Sequence, residues 1–107
     1  MKTKDFEASI KAQVNRCMRT LVDKGEEYAT DDPLHNFRRA AELKGETLEQ
    51  ACVGMMVKHT VSIFDMVTDK EEHTIEAWRE KIGDNINYLL LLSAILDEKE
   101  AKKEKEL

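Results

Sequence analysis

Along most of this chain the apolar residues return at helical intervals. Phe6, Ile10, Val14, Cys17, Leu21 and Tyr28 recur at steps of four, four, three, four and seven, which predicts a helix from about Thr3 to Ala29. Met18 and Val22 widen that stripe, and Lys11, Arg16, Arg19 and Asp23 form a solvated face. TDDPL breaks the pattern: Asp31 or Asp32 is placed to cap, and Pro33 suits the first position of a new helix, where its missing N–H costs nothing. The short helix HNFRRAAEL then turns Leu34, Phe37, Ala41 and Leu43 inward, with Gly45 positioned just past its end. Thr47 and Gln50 make a capping box that opens a third helix over Leu48 to Val67, apolar on most sides. After the polar turn TDKEEHT a fourth helix begins at His73 or Thr74 and passes Leu96 into DEKEAKKEKEL. The alternating charges of that tail either extend the helix through i, i+4 pairs or let it fray.

The third and fourth helices each carry a polar stripe within an apolar surface. On the third it is Lys58, Ser62 and Asp65; on the fourth it is Glu80, Asp84 and Asn87. Both triplets follow i, i+4, i+7, so each lines one side of its helix. If the two helices pack antiparallel, the stripes face each other across a cleft. Carboxylates and an amide oxygen gathered there suit Mg²⁺, which takes oxygen ligands and keeps several waters. Glu80 and Asp84 are the candidate metal ligands and catalytic groups, assisted by Asp65; Lys58 is placed to contact phosphate, with Ser62 and Asn87 beside it. The same residues also fit a plainer arrangement, in which Lys58 pairs with Asp65, Glu80 with a lysine, and Asn87 sets register in the core.

Composition narrows the class. One proline and four glycines in 107 residues, with no alternating apolar run, favour an all-α chain. A net charge of -5 argues against a duplex nucleic-acid binder. The longest apolar run, Tyr88 to Leu92, is too short to span a bilayer, and the first residues lack the apolar core of a signal peptide. The expected location is the cytoplasm. Cys17 and Cys52 sit at apolar helical positions and read as reduced core residues. No phosphate-loop, dinucleotide or nucleophile-elbow motif is present.

The stretches KGEEYATDDPLHNF, KHTVSIFD and WREKIGDNINYLLLL resemble small phage and prophage helical domains associated with nucleotide modification. The resemblance covers roughly Leu21 to Leu96 and rests on Tyr28, Asp32, Pro33, Asn36, Phe37, Lys58, Asp84 and Tyr88. It implies a nucleotide partner, a bacterial host cell, and Asn36 among the substrate contacts. More distantly the plan resembles all-α nucleoside triphosphate pyrophosphatases of the MazG and dimeric dUTPase type, which hold Mg²⁺ with Glu-x-x-Glu and Glu-x-x-Asp pairs. Here Glu80 and Asp84 are separated by three residues instead of two, and Lys58 and Asp65 stand where an acidic pair is expected.

The expectation is therefore one all-α domain, a bundle of three long helices and one short helix, with its core completed by a homodimer or higher oligomer. Its expected function is to bind a (deoxy)nucleotide, with Mg²⁺-dependent hydrolysis as the possible reaction. The rival expectation is a non-catalytic oligomeric module of phage origin that binds another protein.

Overall fold

The computed structural model describes the backbone of residues 1–27 and 31–106 and the side chains of 1–23 and 31–106. Among these residues it contains four α-helices and no strand: α1 (Thr3–Glu27), α2 (His35–Lys44), α3 (Leu48–Thr68) and α4 (Ile75–Glu106). The all-α expectation holds.

Helix ends follow local chemistry. Thr47 Oγ1 accepts the Gln50 N–H at 3.1 Å while Gln50 Oε1 accepts the Thr47 N–H at 2.9 Å, so the capping box is complete. Gly45 ends α2 at φ 67°, a left-handed conformation that a side chain disfavours. Thr74 Oγ1 accepts the Ala77 N–H and starts α4 at Ile75. Pro33 is not the first helical residue. The Asp32 carboxylate accepts the Leu34 N–H at 3.0 Å, and the resulting turn delays α2 to His35.

α3 and α4 run antiparallel, tied at one end by Lys99 to Glu49 (3.3 Å) and midway by Thr60 to Asn85 (2.9 Å). α2 lies on α3, and Leu34 and Phe37 join Cys52 and Ile95 in a small core lined by Leu48, Met55, Tyr88, Leu91 and Leu92. Cys17 and Cys52 are buried free thiols, and burial pushes the Cys52 thiol up from its ordinary pKa. The inward stripe expected of α1 is largely absent. Cys17 is buried, but Phe6, Ile10, Val14, Met18 and Val22 are exposed, because among the described residues α4 is the helix that α1 packs on. Leu43, expected inward, is 77% exposed beyond the reach of α3. The charged tail stays helical to Glu106, and α4 at ~1.5 Å per residue accounts for the 49 Å long axis. None of the described helices is long and apolar enough to cross a membrane.

Candidate functional site

The most chemically loaded surface is a cleft between α1 and α4. Gly83 brings the two helices together. A Cβ there would stand 3.3 Å from Gln13 Nε2 and 3.9 Å from Cys17 Sγ, and the Cys17 thiol points at the Gly83 carbonyl at 3.9 Å. Around this contact opens a cleft of about 490 Å³, a volume suited to a small-molecule ligand. Its α1 wall is polar. Gln13 Oε1 accepts from Arg16 Nη2 at 2.7 Å, and the Thr20 hydroxyl donates to the Arg16 carbonyl. Its α4 wall presents Glu76, Arg79, Glu80, Asp84 and Asn87.

Two polar atoms in this cleft are buried with no hydrogen-bond partner among the described residues: Arg16 Nε and Asn87 Oδ1. One is a cationic donor and the other a neutral acceptor. Leaving such a group unpaired costs about 1–3 kcal/mol each, so native proteins rarely keep one without a reason.

A second hollow, about 160 Å³, adjoins the first through Thr20, Asp84 and Asn87. Pro33, Asn36 and Phe37 from the α2 side, with Met55, Tyr88 and Leu91, bring aromatic and aliphatic side chains to its lining. The Asp84 carboxylate also reaches α3, where its Oδ2 lies 3.4 Å from His59 Nδ1. The His59 ring is tilted 31° over Tyr88 at 5.1 Å, and Tyr88 meets Phe37 edge-on at 6.2 Å. Asp84 is thereby held between the histidine and the cleft.

Of the residues singled out in the sequence, Glu80, Asp84 and Asn87 line one cleft, and Asn36 joins Asp84 and Asn87 in the adjoining hollow. Lys58, Ser62 and Asp65 do not meet them as the facing stripes required. The helices are antiparallel as expected, but the α4 stripe turns to α1. On α3 it is His59 and Thr60 that reach α4, through Asp84 and Asn85. Lys58 and Asp65 are exposed, and Ser62 Oγ donates to the Lys58 carbonyl at 3.0 Å. Among the described residues no three His, Cys, Asp or Glu side chains converge as metal ligands. Tyr28, and the side chains of Glu26 and Glu27, lie outside the described residues.

Sequence reasoning missed Arg16, which it assigned to a solvated face. The signal was present: Gln13, Arg16 and Thr20 repeat at i, i+3, i+7 around Cys17, a polar stripe like those on the later helices. Arg38 and Arg39 stand side by side on α2. Both have carboxylate partners. Arg38 Nε donates to Asp32 Oδ2 at 2.6 Å, and its two terminal nitrogens grip Glu98 at 2.7 and 2.6 Å. The Arg38 guanidinium holds both carboxyls below their usual pKa. Arg39 pairs with Glu42 at 2.6 Å.

Comparison of the chain with family models, with curated proteins and with solved structures returned no match.

Proposed function

We propose that this chain is a phage-type nucleotide-handling domain of the bacterial cytoplasm, with distant kinship to the MazG-type pyrophosphatases. In this reading it binds a (deoxy)nucleotide in the cleft between α1 and α4. The observation that carries the reading is the pair of buried, unpartnered atoms, Arg16 Nε and Asn87 Oδ1, in one cleft with Glu80 and Asp84. A phosphate oxygen would satisfy the guanidinium donor, and a base or sugar N–H or O–H would satisfy the amide acceptor. The adjoining hollow, lined by Asn36 with the rings of Phe37 and Tyr88, has the lining to take a base.

Mg²⁺ fits this donor set through Glu80 and Asp84 alone, one helical turn apart, with the rest of its shell drawn from water and phosphate oxygens. When bound it would neutralise phosphate charge and lower the pKa of a coordinated water. His59, against Asp84, fixes the carboxylate that faces the cleft. Lys58, Ser62 and Asp65, expected from their spacing to share the site, line neither the cleft nor the adjoining hollow, and this reading gives them no contact. The bundle of three long helices and one short one, with its core completed by a homodimer or higher oligomer, belongs to the same proposal.

Thermal melting with and without Mg²⁺ and a panel of nucleoside mono- and triphosphates tests it. A ligand-dependent rise in Tm that disappears in Arg16→Met is expected. No shift with any nucleotide, for wild type and variant alike, would overturn it. Release of pyrophosphate or phosphate from a triphosphate would separate an enzyme from a binder.

A second reading, a non-catalytic oligomeric module, is favoured by the breadth of exposed apolar surface on α3 and α4. It expects a partner-dependent rise in Tm and none with nucleotides.

A further inference from the structure

We propose that the bare side of the α3–α4 pair is the interface of a symmetric homodimer, in which two such pairs pack face to face as a four-helix bundle. This rests on the homo-oligomer part of the reading above and is independent of the nucleotide site.

Contacts orient both helices. α3 turns His59 and Thr60 to α4, while α4 turns Asn85 and Tyr88 to α3 and Gly83 to α1. At about 100° per residue, Val53, Val57 and Phe64 lie roughly 70–110° past the α4-facing line of α3. By the same count Ile75, Ile82, Leu89 and Leu96 lie roughly 60–120° past the α3-facing line of α4. Because the helices are antiparallel, the same sense of rotation leads to the same side of the pair. α1 and α2 attach on the opposite side, where Gly83, Asn87 and Ala51 are found. All seven of these apolar residues are 40% exposed or more, with Phe64 at 68%. Between Val53 and Val67 on α3, and between Ile75 and Leu96 on α4, no charged residue falls within those arcs, and Arg79, at the rim of the α1 cleft, is the one that borders them. In a chain that is 36% charged, such a face is not a solvated one.

Area points to the occupant. The chain exposes 8358 Å², where a compact monomer of 12.3 kDa exposes about 6,100 Å². The excess, roughly 2,200 Å², is more than the ~800 Å² that each partner contributes to a standard stable interface. The radius of gyration, 16.5 Å, exceeds the ~13 Å of a compact domain this long. Seven apolar residues are buried among the described ones, and four of those, Cys17, Ala41, Ala51 and Cys52, are smaller than valine. A core that small calls for a partner present whenever the chain folds, and an identical chain meets that condition. The α4 positions repeat every seven residues, the period of a helix packing along its length against another, and two-fold symmetry lets the same patch serve both copies.

Sedimentation of the full chain at micromolar concentration, with maleimide labelling of single introduced thiols, tests this. The expected mass is twice 12.3 kDa. Val57→Cys and Leu89→Cys, half exposed in the single chain at 53% and 52%, are expected to label on the order of tenfold slower than Leu43→Cys on α2. Val57→Glu is expected to give a monomer or an unfolded chain. A well-folded wild-type monomer would overturn the proposal, whatever other protein it binds. A dimer in which the Val57 and Leu89 thiols react as fast as the Leu43 thiol would overturn this face while leaving the oligomer. Failure here leaves nucleotide-dependent melting untouched, so the two proposals fall separately.

Discussion

Asn87 is where a single side chain says most about the cleft. Its Oδ1 is buried and unpartnered among the described residues, so in the ligand-free protein it detracts from stability by about 1–3 kcal/mol. Asn87→Leu is therefore expected to melt at or above the wild-type temperature and yet to lose the nucleotide-dependent rise. A variant that is destabilised and still responds to nucleotide would contradict that role. Arg16→Met keeps the aliphatic stem and removes the orphaned Nε–H, and differential scanning fluorimetry should show the same separation of stability from response. Gly45 is a different case. At φ 67° its value is conformational, and Gly45→Ala should cost on the order of 1 kcal/mol in chemical denaturation with no effect on ligand response.

At the scale of elements, α1 is held to α4 at Gly83. Gly83→Ala meets the flexible end of Gln13 at 3.3 Å, which can yield, and gains up to about 1 kcal/mol of helix propensity. Gly83→Leu has no such room. It should separate α1 from α4 and abolish nucleotide-dependent melting while the small core around Phe37 and Ile95 remains. The Arg38 clasp joins the tail of α4 to α2 and brings a pH dependence. Asp32 and Glu98 titrate below their unfolded values because Arg38 hydrogen-bonds to both, so the stability they add is present above about pH 4 and is lost as acid protonates them. Wild type should lose more stability than Arg38→Met between about pH 5 and pH 3 in acid titrations followed by circular dichroism. Each pair is a third exposed, so the difference should stay under about 1 kcal/mol per carboxylate. How far the sequence could be read follows the same division. The Thr47–Gln50 box, Gly45 and the inward Phe37 and Ala41 are settled within a few residues of themselves, and they were legible. That the Glu80–Asp84–Asn87 stripe turns to α1 depends on Cys17 meeting Gly83 across 66 positions of chain, which no local period encodes. The Arg38–Glu98 contact spans 60 and was equally out of reach.

At the scale of the whole molecule, the α3–α4 pair divides two kinds of surface. On one side α1 and α2 enclose polar groups that lack partners; on the other lies an uncharged apolar face. A homodimer built on that face would leave both clefts turned outward, each assembled from one chain. Nucleotide affinity per chain should then be unaffected by dilution wherever the dimer persists, as titration calorimetry at two protein concentrations would show. The cleft itself is tested most directly by following the Arg16 Nε–H and Asn87 side-chain amide signals in a ¹⁵N spectrum while Mg²⁺ and a nucleoside triphosphate are added. If the α1–α4 cleft binds nucleotide, these two signals move together and saturate with the same midpoint as the Tm rise. If they stay still while signals elsewhere respond, or while none does, the cleft is not the nucleotide site.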